Sequence, residues 1–199
     1  ADGADAVLVV TPYYNKTTQN GLVAMYNTIA DASTKPVILY NVPSRTGIGI
    51  QPETYVKLAQ HPNIAAIKEA NSDISKIVET FALVGDQLDI YSGNDDQIVP
   101  ILSMGGQGCI SVLSNVVPKE TVAITDQFFA GNVAEAARLQ CQFMPLIRSL
   151  FCESNPIPVK AAMAALGFCE NYLRLPLVPM EQDHYETMLQ RMRELGLQV

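Results

Sequence analysis

The chain has 199 residues, 48% of them hydrophobic and 17% charged, enough to bury one sizeable core. Its 20 acidic residues against 13 Lys and Arg give a net charge of −7, which excludes a polyanion such as nucleic acid as partner. No apolar run reaches about eighteen residues, so no membrane span is expected, and Ala1 to Asp5 carries neither the basic region nor the apolar core of a secretory leader.

Taken in chain order, the sequence alternates. Short apolar runs at Ala6–Val10, Val37–Tyr40, Ile64–Ile67, Leu88–Tyr91 and Cys109–Val112 are rich in β-branched residues and lack polar alternation. Such runs fit parallel strands buried on both faces. Helical stretches are predicted between them at Gly21–Ala32, Pro52–Gln60, Ile74–Val84 and Asp96–Met104. Pro52 suits a first helical position, Asp73 an N-cap, and Gly85 and Gly105 helix stops. The strand starts lie about 21–31 residues apart, the length of a βα unit. After Val112 only helices are predicted: Lys119–Ala130, Val133–Phe151 with a kink expected at Pro145, Pro156–Leu166 and Met180–Leu195. Residues 1–118 read as a run of βα units, and 119–199 as its last helix plus a helical appendage packed in the same domain. Five units are compatible with a doubly wound open sheet or with a (β/α)₈ barrel lacking its first three units. Length alone favours the open sheet, because a full barrel takes about 250 residues.

The polar residues gather where the apolar runs end, and parallel α/β folds build their sites at those carboxyl ends. Lys68 follows Ile64-Ala65-Ala66-Ile67 directly. Burial disfavours a charged amine, and a neutral amine can condense with a carbonyl to form a Schiff base. A lysine paired with Glu69, or reaching to solvent, is the alternative. Tyr40 ends the preceding run and is placed to shuttle a proton, or else to cap the core. Tyr13 and Tyr14 are adjacent, so in extended chain one faces a site and the other a partner. Arg45, in Pro43-Ser44-Arg45-Thr46-Gly47, offers a fork for a carboxylate or is a solvated loop residue. Gly93 and the pair Gly105-Gly106 mark either close approach to a ligand or ordinary turns. Cys109, Cys141, Cys152 and Cys169 show no CxxC spacing and are expected to be buried reduced thiols of a cytoplasmic protein. His61 and His184 form no metal cluster in the sequence.

With these residues in place, the chain resembles the dihydrodipicolinate synthase family, pyruvate-dependent lyases related to N-acetylneuraminate lyase. The resemblance rests on Val10-Thr11-Pro12-Tyr13-Tyr14, on Leu39-Tyr40-Asn41 running through Val42-Pro43-Ser44-Arg45-Thr46-Gly47, and on Ile67-Lys68-Glu69-Ala70. It continues in Ser92-Gly93-Asn94-Asp95 and Asn155-Pro156-Ile157-Pro158-Val159-Lys160. It implies a partial barrel, strands four to eight of eight. It implies that Lys68 forms the pyruvate Schiff base, that Tyr40 relays protons, and that Tyr14 is lent across a dimer interface. Arg45 would bind the carboxylate of aspartate semialdehyde, and Gly93 and Ile110 would line the pyruvate pocket through backbone groups. The implied reaction is condensation of pyruvate with aspartate semialdehyde to 4-hydroxy-tetrahydrodipicolinate, with no metal or organic cofactor, in a cytoplasmic homo-oligomer (dimer or tetramer).

The departure is at the start. Family members carry three earlier βα units and a Gly-Thr-Thr-Gly-Glu-type loop, which nothing here matches. Of the residues expected near the family's lysine-inhibitor site, Tyr13 alone is present. The chain is therefore expected to be a truncated piece, oligomeric when soluble and impaired as a catalyst. Two other functions compete. One is an aldolase for N-acetylneuraminate or 2-keto-3-deoxy sugar acids, against which Arg45 argues. The other is a non-catalytic assembly module that keeps Lys68 by descent.

Overall fold

The computed structural model describes residues 3–199; Ala1 and Asp2, the first of the five N-terminal residues considered above, lie outside them. By internal contacts the chain divides into two compact units, one running to Ile110 and the other covering Ser111–Val199.

The first unit is a parallel sheet with helices between its strands. Its elements are β1 (Val7–Val10), α1 (Gln19–Ala32), β2 (Val37–Asn41), α2 (Pro43–Thr46), α3 (Pro52–Leu58), β3 (Ile64–Glu69), α4 (Ile74–Val84), β4 (Asp89–Ser92), α5 (Ile98–Ser103) and β5 (Gly108–Cys109). The five strands found among the described residues lie in the order β1-β2-β3-β4-β5, all neighbours parallel. A doubly wound sheet reverses direction at a switch point; strictly sequential order is the wall of a singly wound barrel. Local chemistry explains the helix ends. Asp73 caps α4, accepting from the N–H groups of Ser75 and Lys76. Pro52 opens α3. Residues predicted as one helix from Asp96 are instead a 3-10 turn at Asp95–Gln97 followed by α5. Pro100 has no N–H to give, so it falls in the first turn of α5, where that donor is unused.

One face of the sheet is packed. Val37, Leu39, Ile64, Ile67 and Ile90 meet Leu22, Tyr26 and Ala30 of α1, Tyr55 and Leu58 of α3 and Ile77 and Val84 of α4. The 22-26-30 spacing places one stripe of α1 on the sheet. The opposite face carries Val10, Ile38, Tyr40, Lys68 and Tyr91, each half-buried, and Leu8, which is exposed. In a closed barrel this second face is the interior. β5 is shorter than expected: it pairs only with Tyr91 and Ser92, and by Val112 the backbone is already helical.

The second unit is helical among its described residues: α6 (Leu113–Val116), α7 (Pro118–Phe129), α8 (Val133–Leu150), α9 (Ile157–Ala165) and α10 (Gln182–Glu194). Helix α8 packs on both α7 and α10, burying Phe143, Leu146, Ile147 and Leu150 with Ile124, Met188 and Met192. Pro145 lies within α8, which runs unbroken past it. No helix among the described residues is long and apolar enough to cross a membrane. The cysteine expectation is corrected. All four are free, but Cys141, Cys152 and Cys169 are exposed and Cys109 half-buried, because α8 turns Cys141 outward and the other two follow helix ends.

Candidate active site

The carboxyl ends of β2, β3 and β4 build the site, and a bulge in β3 sets which way its residues face. Val37 pairs with Ile64, but Ile38 pairs with Ala66, so Ala65 is an extra, exposed residue without a partner on β2. Downstream the register is regular: Leu39 with Ile67, Tyr40 with Lys68, Asn41 with Glu69. Partners in a parallel ladder share a face, and successive residues alternate. Lys68 and Tyr40 therefore stand on the open face, and Asn41 and Glu69 on the packed one.

On the open face Lys68 Nζ lies 4.4 Å from the centroid of the Tyr40 ring. Burial draws the Lys68 amine below its ordinary pKa, and the Asp95 carboxylate partly opposes this. Burial raises the Tyr40 phenol, and the Arg45 charge eases it back. A lysine whose ammonium form is disfavoured is the state from which an amine attacks a carbonyl. Gly93 keeps this corner clear. A Cβ there would lie 3.1 Å from Lys68 Cγ, 3.1 Å from the Glu69 carbonyl oxygen and 2.9 Å from the Ala70 Cβ. The Gly93 N–H donates to the Glu69 carbonyl at 2.7 Å, and the Ile110 N–H to the Ser92 carbonyl at 2.8 Å. Asp95 is buried and acts electrostatically on both Lys68 and Cys109, whose thiol burial pushes up to about 11.

Lys68 is not paired with Glu69. The Glu69 carboxylate, 2% exposed, accepts from Asn41 Nδ2 at 2.9 and 3.1 Å, from Tyr55 OH at 3.1 Å and from the Asn71 N–H at 2.8 Å. Desolvation raises it to about 7, despite those donors. Its ordinary value is about 4.3. The folded state thus holds a proton more tightly than the unfolded one. That contribution to stability is complete below about pH 4 and is lost as pH rises to about 7, a span worth about 4 kcal/mol. Urea unfolding at pH 5 and pH 8 is expected to show a larger stability drop for the wild type than for Glu69→Gln. Equal drops would contradict this assignment.

Arg45 projects from α2, a single helical turn closed by Gly47 at φ 68°. It is exposed, while its neighbour Thr46 is buried and anchors the turn: Thr11 Oγ1 donates to Thr46 Oγ1 at 3.0 Å, and Thr46 Oγ1 donates to the Ile48 carbonyl at 2.8 Å. The sequence carries no local signal for this anchor or for the charge of Asp95 on Lys68, and Glu69 reads there only as a partner for Lys68. Tyr13 and Tyr14 are 75% and 87% exposed. β1 has ended at Val10, so strand alternation does not govern them, and within this one chain neither packs into the Lys68–Tyr40 cluster. Gly105 and Gly106 serve a turn; Gly106 N donates to the Ile101 carbonyl, and a Cβ on Gly106 would lie 2.8 Å from that oxygen.

In the second unit, ligand atoms of Cys152, Glu153 and His184 lie within 4.8 Å of one another, a grouping the chain-order reading did not foresee because 31 residues separate Glu153 from His184. Glu153 Oε1 already accepts from the Glu181 N–H at 3.0 Å and meets His184 Nδ1 at 2.8 Å, tying the end of α8 to the start of α10. The adjoining cavity of about 430 Å³ is lined by Arg148 and Arg191, two charges that oppose a cation.

A half-buried amine at the end of a strand in a singly wound parallel sheet defines the class: an α/β-barrel protein with its site on the carboxyl edge. Residues 1–195 match the Dihydrodipicolinate synthetase family. The 4-hydroxy-tetrahydrodipicolinate synthase of Alkaliphilus oremlandii is 52% identical over 195 residues, 98% of this chain and 67% of the relative. The crystal structure of dihydrodipicolinate synthase from Thermotoga maritima superposes with a TM-score of 0.96 at 44% identity, over 98% of this chain and 68% of that one. The enzyme from Acinetobacter baumannii, solved in complex with pyruvate, gives 0.95 at 39% identity, over 98% of this chain and 67% of that one. The chain belongs to the dihydrodipicolinate synthetase family, and its fold is part of that family's barrel.

Proposed function

We propose that Lys68 forms a Schiff base with pyruvate and that the site condenses the resulting enamine with L-aspartate semialdehyde, giving 4-hydroxy-tetrahydrodipicolinate. The observation that carries this reading is the desolvated Lys68 amine held 4.4 Å over the Tyr40 ring. The neutral amine attacks the keto carbon, Tyr40 hands a proton to the departing oxygen, and water leaves. The iminium then withdraws electrons from the adjacent methyl group, which loses a proton to become the enamine. That carbon adds to the aldehyde, whose oxygen takes up a proton, and the semialdehyde's own amine then attacks the iminium carbon, closing the ring and expelling Lys68 as the free amine. The lysine itself is the electron sink this route requires.

Arg45, on its anchored turn, presents a guanidinium for the carboxylate of the second substrate. Gly93 and Ile110 border the pyruvate pocket through backbone groups. Tyr14 reaches a site only in a second copy of the chain, which its exposure in one copy supports. The names of the relatives support the synthase over a sugar-acid aldolase.

Borohydride reduction with pyruvate tests the reading. The expected product carries one pyruvic acid less one oxygen on the peptide containing Lys68. An adduct on another lysine, or none, would overturn it. Trapping does not depend on turnover, so it is informative for a chain that spans 67% of its relatives' length.

A further inference from the structure

The ladder between β2 and β3 ends in two successive rungs with opposite duties. Tyr40 and Lys68 form one on the open face; Asn41 and Glu69 form the next on the packed face. Strand ends fray because no further ladder follows, so whatever joins the last rung sets the pleat of the rung before it. Here the joint is made of side chains. Asn41 Nδ2 donates to both oxygens of Glu69, at 2.9 and 3.1 Å, and Asn41 Oδ1 accepts from the Ile50 N–H at 3.0 Å. The backbone continues it: the Ala70 N–H donates to the Asn41 carbonyl at 2.8 Å and the Gly93 N–H to the Glu69 carbonyl at 2.7 Å. Both side chains are buried, Asn41 at 1% and Glu69 at 2% exposure.

A buried polar pair is a costly way to fill space. Apolar residues of similar volume are often as stabilising or more so, and what a hydrogen-bonded pair adds is direction. We infer that Asn41 and Glu69 are positioning residues, a clamp across the last rung that holds the Lys68 amine against the Tyr40 ring. The inference rests on reading Lys68 as the imine-forming amine. The clamp touches no substrate and acts only by fixing which way the preceding rung points.

The test compares the wild type with Asn41→Leu/Glu69→Met, which swaps the clamp for an apolar pair of similar volume. Competitive acetylation across a pH series, read by peptide mass spectrometry, reports the Lys68 amine against the exposed Lys57 as internal reference. In the wild type Lys68 is expected to become reactive at lower pH than Lys57. In the double variant the melt stays cooperative, the Lys68 profile moves toward that of Lys57, and pyruvate trapping slows by about tenfold or more, since displacement by about 1 Å can cost about 10²-fold. A folded double variant with wild-type acetylation and trapping overturns the clamp. Should the double variant fail to fold, Asn41→Leu, which removes the donor across the rung and leaves Glu69 bonded to Tyr55 and Asn71, is read the same way, and an unchanged profile there is equally decisive. If wild type forms no pyruvate adduct, the Schiff-base reading falls, while the acetylation profiles still decide the clamp.

Discussion

Replacing Lys68 with alanine is expected to abolish the borohydride-reducible pyruvate adduct altogether, the largest effect any single substitution in this chain should produce. The nucleophile is the only group at the site that can bond covalently to a keto carbon and then withdraw electrons through the same nitrogen. Loss of such a group removes the pathway and does not merely slow it. Lys68→Arg separates charge from nucleophilicity. The guanidinium stays protonated and cannot form the imine, so it should be equally devoid of adduct while restoring a cation over Tyr40. Neither change should unfold the chain, because Lys68 forms no salt bridge among the described residues and its desolvated amine is a burden on the fold. Trapping by either variant, with the mass found on another lysine, would reassign the catalyst.

Tyr40→Phe should slow imine formation by about 10²–10⁴-fold, the contribution of a positioned acid–base group. The ring remains as a platform for the Lys68 amine, so the variant removes the phenolic proton and little else. Its buried hydroxyl titrates above its ordinary range, and the Arg45 guanidinium moderates the shift. Arg45→Ala should therefore move the alkaline limb of the wild-type trapping profile to higher pH, because the charge that stabilises the phenolate is gone. The rate of adduct formation at saturating pyruvate is the measurement. A rate for Tyr40→Phe within twofold of wild type would leave the proton to another group.

Much of this architecture was legible in sequence because its signals are local. An apolar run closed by Lys68, or a proline opening α3, is read from neighbouring residues. The sequential strand order is not local; it follows from which helices cover which strands, and five βα units alone left two sheets open. The support beneath the site was hidden for the same reason. Glu69 lies beside Lys68 in the chain and reads as its partner, yet its bonds go to Asn41 and Tyr55, 28 and 14 residues away. The Thr11–Thr46 bond spans 35 residues. The tyrosine pair shows the opposite failure: alternation was applied at Tyr13 and Tyr14, where the strand had already stopped.

The unpaired Ala65 has a consequence for how such a chain can change. Ile64 and Ile67 both lie under the helices although an odd number of steps separates them, which a regular strand forbids. Spacing along β3 is thus an address: shortening it by one residue would hand the sheltered pocket an ammonium and the cleft a carboxylate. Every residue of the motif would still be present in a gene so altered, spelled in the same order, and the chemistry would be lost to a miscount.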